Sequence, residues 1–362
     1  MRTKEEWMDL ALNLAEATIG QTSPNPSVGA VVVKDGILLG VGTHIQAGGP
    51  HAEVHAIAQA GESAKGADIY VTLEPCAHYG KTPPCAELIV EKGIKRVFIA
   101  CLDPNPKVAG KGVAIIEAAG IEVEIGILEE RALRLNQHFF HLMATRRPFV
   151  TLKAAMTLDG KTATVTGDSK WITSSEARMD VHKERHRHDA ILVGRITVEK
   201  DNPSLTTRLS QGGKNPVRII LDTHLSLHGA FEIFNEEAPT WVVCGRNAAR
   251  EPFEKAYPHI KVIQLTTEKI VLNDLLQVLA EENIQSLYVE GGGTIHQSFL
   301  QEKLFDECHW YIAPKLLGGQ DARSVIGGES PLLMKEAEEL EFNSVKQIGP
   351  DIKIIAGRKD ES

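Results

Sequence analysis

Apolar residues recur at Met8, Leu12, Ala15 and Ile19. That is the three-to-four spacing of one helix face, so residues 5–19 are predicted as an amphipathic helix ended by Gly20. Two short β-patterned runs follow, 27–33 and 37–41. Between them Asp35-Gly36 predicts a tight hairpin, because both types tolerate positive φ. The pattern then predicts a helix over 51–60 stopped by Gly61, and a buried strand over 68–73. Pro84-Cys85 opens another helix, with Pro suited to a first turn, and Gly93 closes it. A strand at 96–101, a helix at 112–119, a strand at 121–125 and a helix at 128–143 complete the run. Strands alternating with helices predict an α/β layered domain with a mostly parallel sheet.

The pattern pauses at Thr145-Arg146-Arg147-Pro148 and restarts. Strands are predicted at 149–155, 189–193, 217–221, 241–244, 261–265, 286–290 and 308–313. Helices are predicted at 174–187, at 272–282 and from Thr294 onward. Two α/β domains follow from this, 1–146 and 147–362, and 362 residues are too many for a typical single core. There is no repeat and no low-complexity linker. Hydrophobic content of 43% and charged content of 24% are ordinary for a globular protein. A formal net charge of -9 argues against a nucleic-acid partner, which usually leaves a basic footprint. No long apolar run predicts a membrane span, and the mixed charges of residues 1–7 do not form a secretory signal. The expected location is the cytoplasm. The five scattered cysteines then favour thiols and metal ligands over disulfides, with Cys101, Cys244 and Cys308 read as core residues.

Candidate chemistry concentrates in two clusters, His51-Ala-Glu53 and Glu74-Pro-Cys76 through Pro84-Cys85. His51, Cys76 and Cys85 can hold zinc and leave its fourth tetrahedral position open. Water there would have its pKa lowered from near 16 to roughly 7. Glu53 is the candidate proton shuttle. The pattern H-x-E with P-C is that of zinc base deaminases, except that Cys76 and Cys85 stand nine positions apart rather than three. Residues i and i+2 do not face each other in mid-helix, so His51 and Glu53 must converge at a helix start. A closed structural site, with His55 or His78 as fourth ligand, is the main competitor.

Several segments together resemble the bifunctional riboflavin-biosynthesis deaminase–reductase family. They include Thr22-Ser-Pro-Asn-Pro26, His51-Ala-Glu-Val-His-Ala56 and Thr72-Leu-Glu-Pro-Cys-Ala-His-Tyr-Gly-Lys-Thr-Pro-Pro-Cys85. Further on come Asp103-Pro-Asn-Pro106, Thr166-Gly-Asp-Ser-Lys-Trp-Ile-Thr173, Asp201-Asn-Pro-Ser-Leu-Thr206, Tyr288-Val-Glu-Gly-Gly292 and Ala313-Pro-Lys-Leu-Leu-Gly-Gly319. The resemblance spans nearly the whole chain. It implies a cytidine-deaminase-like α/β/α domain followed by a dihydrofolate-reductase-like domain. The first would deaminate a diamino-phosphoribosylamino-pyrimidine at C2 with zinc, Glu53 acting as general acid/base. Asn25, His78 and Lys81 would hold the pyrimidine or ribose phosphate, with Asp103 and Asn105 on the same rim. The second domain would use NADPH to reduce the ribosyl group to ribityl. Carried over residue by residue, Ala155, Trp171, Thr197, Asp201 and Thr223 would touch NADPH. The turn Gly291-Gly292-Gly293 would cradle its pyrophosphate at a helix N-terminus. Lys153, Ser169, Arg185, Leu205, Arg208 and Glu290 would touch substrate. Arg185 and Arg208 suit a phosphate because a planar guanidinium binds it bidentately.

The rest of the polar run His182–His188 is expected to be a solvated helix face. The expected partners are small phosphoribosyl pyrimidines, with no nucleic acid and no membrane, in a homo-oligomer. Two other classes compete. A nucleic-acid base deaminase with an accessory domain would show a basic groove and C-x-x-C. A non-catalytic zinc-stabilised binding module would not need Glu53.

Overall fold

The computed structural model describes residues 2–79, 83–105 and 109–359. It divides into two compact units, Met1–Arg146 and Arg147–Ser362.

The first unit begins with α1 (Lys4–Glu16). Thr3 caps it, taking the Glu6 N–H while the Glu6 carboxylate takes that of Thr3, a reciprocal capping box. The chain turns away after Glu16, earlier than predicted, and reaches Gly20 through turns. Strands β1 (Gly29–Lys34) and β2 (Ile37–Thr43) form the predicted hairpin. Asp35 and Gly36 sit at φ 51° and 76°, the pair of left-handed residues a two-residue turn needs. Helix α2 (Ala52–Ala60), β3 (Asp68–Val71), α3 (Cys85–Glu91), β4 (Arg96–Ile99), α4 (Lys111–Ala118) and β5 (Glu122–Ile125) follow.

The sheet order is β2-β1-β3-β4-β5. Only β3, β4 and β5 run parallel; β1 is antiparallel to both neighbours, so this sheet is less parallel than predicted. Alternation along β1 explains the layers. Ala30 and Val32 pack with α2, α3 and α4, while Val31 and Val33 pack with α1. Helix α2 lies directly on β2. A Cβ at Gly40 or Gly42 would fall 2.1 Å from the Ala56 or Ala52 carbonyl oxygen.

The helix predicted over 128–143 is two, α5 (Glu129–Leu135) and α6 (Gln137–Thr145). Buried Asn136 breaks it. Its amide accepts from the Ser27 N–H at 2.8 Å and donates to the Ser27 carbonyl at 2.9 Å. Asn136 satisfies Ser27 as a neighbouring strand would, at the expense of helix continuity.

The second unit contains β6 (Phe149–Thr157), β7 (Lys161–Ala163), α7 (Ser175–Arg187), β8 (Ala190–Gly194), α8 (Arg195–Asp201), β9 (Val217–Leu221) and β10 (Thr240–Cys244). Then come α9 (Arg250–Ala256), β11 (Lys261–Gln264), α10 (Leu272–Glu281), β12 (Ser286–Val289), α11 (Gly293–Gln301), β13 (Glu307–Ala313) and β14 (Arg323–Ser324). A hairpin of β15 (Leu340–Ile348) and β16 (Asp351–Arg358) ends the unit. The nine-stranded sheet runs β11-β10-β9-β8-β12-β6-β13-β16-β15, parallel as far as β13 and antiparallel in the last hairpin. Val150, Leu192, Ile219 and Val243 pack with α10 and α11 on one face; Ile191, Val193, Ile220 and Val242 face Phe234 and Phe253 on the other.

The predicted solvated face of α7 is corrected by the structure: Glu184 and His188 are buried, along with Arg185. Each is paired. Lys353 on β16 donates to Asp180 and Glu184 at 2.8 Å each. Burial pushes the Glu184 carboxyl up, but His309, Lys353 and His188 outweigh it and hold it down at about 2. His188 lies 2.7 Å from the Glu184 carbonyl and 3.2 Å from Thr151 Oγ1.

Candidate functional site

His51 is the N-cap of α2 with extended backbone, φ -77° and ψ 165°. Glu53 lies in the first turn behind it. Their convergence is therefore a helix-start geometry, as i and i+2 residues require. Cys76 follows β3 on a loop, and Pro84 caps α3 so that Cys85 is its first residue. His51 Nδ1 lies 3.5 Å from Cys76 Sγ and 3.3 Å from Cys85 Sγ. One nitrogen and two sulfurs, all within 4.8 Å of one another, form a metal-ligand set. Neither His55 nor His78 belongs to it, so among the described residues the set has three ligands.

The donor chemistry fits zinc. The Cys76 sulfur is drawn down to about 4, first by the Cys85 thiol that donates to it, and the same bond with burial pushes Cys85 up. A cation in the set would take up the negative charge the pair otherwise shares with a proton. Glu53 is 3% exposed, and burial raises its carboxyl. The His44 ring stands edge-on to His51 with centroids 5.4 Å apart. His44 also lies 3.1 Å from the Pro50 carbonyl and 3.0 Å from the Asn25 amide, so Asn25 joins this site through His44.

Glu74 fixes the cysteine loop. Its buried carboxylate accepts the N–H groups of Gly110 and Gly112 at 2.9 Å each, and of Val113 at 3.3 Å. That is an anion at the N-terminus of α4, where orphan N–H groups point. Gly112 permits it, since a Cβ there would lie 1.9 Å from the Pro75 carbonyl oxygen. Asp103 accepts the Asn105 N–H at 2.8 Å; burial raises its carboxyl, and His78 acts the other way. Lys81 lies outside the described residues. Sequence reasoning passed over Glu74, although the motif contained it, and His44, for which spacing gives no signal.

In the second unit a cleft of about 1120 Å³ opens at the carboxyl ends of β8, β9 and β12. Ligands of open parallel sheets bind at such ends. Ala155, Trp171, Thr197, Asp201, Thr223 and Gly291–Gly293 line it, as do Lys153, Ser169, Arg185, Arg208 and Glu290. Leu205 is not brought to it: its side chain is 4% exposed in the core with Ile191 and Phe253. Arg178, His182, Arg195, Lys200 and Arg323 also line the cleft. They escaped the sequence reading because charges on loops and helices read as solvated.

Gly292 caps α11. A Cβ at Gly291 would fall 2.7 Å from Ile295, and one at Gly293 would fall 2.9 Å from the Ser324 carbonyl. Side chains are thus excluded at Gly291 and Gly293, while the space beside Gly292 at the helix N-terminus is open, which fits a pyrophosphate. Beside it Glu290 accepts from Arg185 Nε at 2.8 Å, Arg185 Nη2 at 3.0 Å and Lys153 at 3.2 Å. Burial works against the Glu290 charge, but the two cations hold it well below the usual carboxylate range.

Residues 148–354 match the RibD C-terminal domain family, and residues 1–101 match the cytidine and deoxycytidylate deaminase zinc-binding region. The chain is 54% identical to the riboflavin biosynthesis protein RibD of Bacillus amyloliquefaciens, over 99% of this chain and 97% of that one. It is 40% identical to RibD of Escherichia coli, over 96% and 97%. Among solved structures, Acinetobacter baumannii RibD superposes with TM-score 0.90 at 43% identity, over 98% of this chain and 99% of that one. A diaminohydroxyphosphoribosylaminopyrimidine deaminase/5-amino-6-(5-phosphoribosylamino)uracil reductase from Thermotoga maritima superposes with TM-score 0.89 at 39% identity, over 98% of both chains. With a His–Cys–Cys set in one unit and a glycine-cradled cleft in the other, the chain belongs to the RibD family of riboflavin-biosynthesis enzymes, zinc-dependent deaminases joined to NADPH-dependent reductases.

Proposed function

We propose that His51, Cys76 and Cys85 hold the zinc and that Glu53 is the general acid/base of the deamination. The observation that carries this is the convergence of three ligands, with no fourth among the described residues, against a buried carboxyl. Zinc supplies Lewis acidity that makes water a nucleophile at neutral pH. Glu53 takes the protons of the attacking water and delivers one to the ring nitrogen and one to the departing amino group, which leaves as ammonia. Asn25 and Asp103, with His78, Lys81 and Asn105, orient the pyrimidine and its phosphoribosyl tail.

In the second unit Gly291–Gly293 and the α11 N-terminus hold the cofactor pyrophosphate. Ala155, Trp171, Thr197, Asp201 and Thr223 hold the rest. NADPH supplies the hydride. Lys153, Ser169, Arg185, Arg208 and Glu290 hold the ribosylamino-uracil phosphate. Arg185 forks onto Glu290 and also donates to the Thr206 carbonyl at 3.2 Å, so Arg208, which has no carboxylate partner among the described residues, is the freer cation. The test is incubation of the purified chain with the diamino-pyrimidine phosphoribosyl substrate. Without NADPH the product exchanges an amino group for oxygen; with NADPH it also gains two hydrogens. Recovery of unchanged substrate from zinc-loaded protein refutes the assignment. A homo-oligomer in the cytoplasm goes with this reading. Exposed Phe342 and Val345 on edge strand β15 support the assembly, which sedimentation tests.

A further inference from the structure

His182 lies one turn before Arg185 on α7, so the two share a helix face, and both line the reductase cleft. The His182 Nδ1 is buried without a hydrogen-bond partner. Such an atom costs stability unless something answers it. Three groups set the field at this ring: Arg185 from its own helix, Arg208 from the loop after α8, and Glu290 at the end of β12. Glu290 answers Arg185 and Lys153, and Arg208 beside the imidazole has no carboxylate partner among the described residues. Burial first, then Arg185 and Arg208, push His182 down to about 4 against the opposing pull of Glu290 and the Thr206 backbone, so the ring is neutral and carries one N–H.

We propose that His182 is a substrate-recognition residue of the reductase cleft, completing with Arg208 and Arg185 a cradle for the phosphoryl group of the ribosylamino substrate. A phosphate fits because it supplies the missing charge and several acceptor oxygens, one of which can take the imidazole N–H. The inference rests on the reading that this cleft reduces the ribosylamino-uracil phosphate. Failure of that reading would show separately, as no NADPH oxidation by the wild-type protein.

The test compares wild type with His182→Gln on the phosphorylated substrate and on its dephosphorylated riboside. A lost hydrogen bond to a charged group corresponds to about 10- to 150-fold. The expected result is a KM for the phosphorylated substrate raised by at least about 10-fold. The kcat, the NADPH KM and the kcat/KM for the riboside should change little. An equal loss on both substrates, or an unchanged KM, overturns the proposal. A second measurement does not depend on the variant's folding. In the wild-type protein the His182 imidazole resonances should shift upon addition of ribose 5-phosphate and stay fixed with ribose. Failure to shift at concentrations of ribose 5-phosphate that competitively inhibit reduction overturns it equally.

Discussion

Glu53 and Glu74 are both buried carboxyls beside the same cysteines, and their surroundings divide the work between them. Burial raises the proton affinity of Glu53, which lies beside His51 and the two cysteines. Replacing it with Gln should keep zinc and fold yet lower deamination by about 100-fold or more, the low end for a removed acid/base. Ammonia release and zinc content from one preparation check this. Glu74 instead spends its oxygens on the N–H groups of Gly110, Gly112 and Val113. Glu74→Ala should leave those donors unanswered and loosen the Cys76 loop. Zinc affinity should fall by about 10- to 100-fold, the range for lost outer-shell support, as measured by competition with a chelator. An unchanged affinity would mean that the loop holds its shape without this anchor.

At the scale of elements, the pairing of α7 with β16 decides the edge of the large sheet. Lys353→Met removes the cation that Glu184 and Asp180 share. Removing one partner of a buried pair costs about 3–5 kcal/mol, and urea unfolding should register that loss. The pH sign follows from Glu184. Its folded value near 2 lies below the ordinary 4.5, so its contribution is present above about pH 4.5 and is lost as pH falls toward 2. Acid unfolding of wild type should therefore steepen over that window, and the variant should lose the part of this component that Lys353 supplies, His309 and His188 supplying the rest. The same pairing explains what the sequence concealed. On β16 the inward positions are Asp351 and Lys353, so hydrophobic alternation misreads the strand. β15 is largely exposed and gives no period at all. Asn136 hid the α5–α6 break, because its partner Ser27 is distant in sequence. By contrast, Asp35-Gly36, Pro84 and Gly61 act locally, and the hairpin and both site-bearing helices were legible from them. The clustering of His51, Cys76 and Cys85 was legible because short motifs near helix starts leave a spacing. His182 and Arg323 leave none, since only the folded cleft brings them together.

For the whole molecule, the metal-ligand set lies before Arg146 and every residue lining the cleft lies after Arg147. Each proposed constellation draws only on residues of its own unit. Glu53→Gln should abolish ammonia release yet leave NADPH-dependent reduction of the already deaminated substrate intact. Arg208→Ala should weaken reduction by roughly 10- to 150-fold through a lost charge-assisted contact and spare deamination. Each half is assayed on its own substrate, so starvation cannot imitate coupling. Loss of both activities in either variant, with fold and zinc retained, would mean the units communicate.

A deaminase and a reductase on one polypeptide have a consequence for the cell rather than for the chemistry. Every translated copy delivers one deaminating and one reducing centre, so transcription cannot alter their ratio. Balance between the two steps must be written into turnover numbers and affinities. A mutation that slows either centre therefore cannot be corrected by making more of that catalyst alone, and selection must answer it within the same gene.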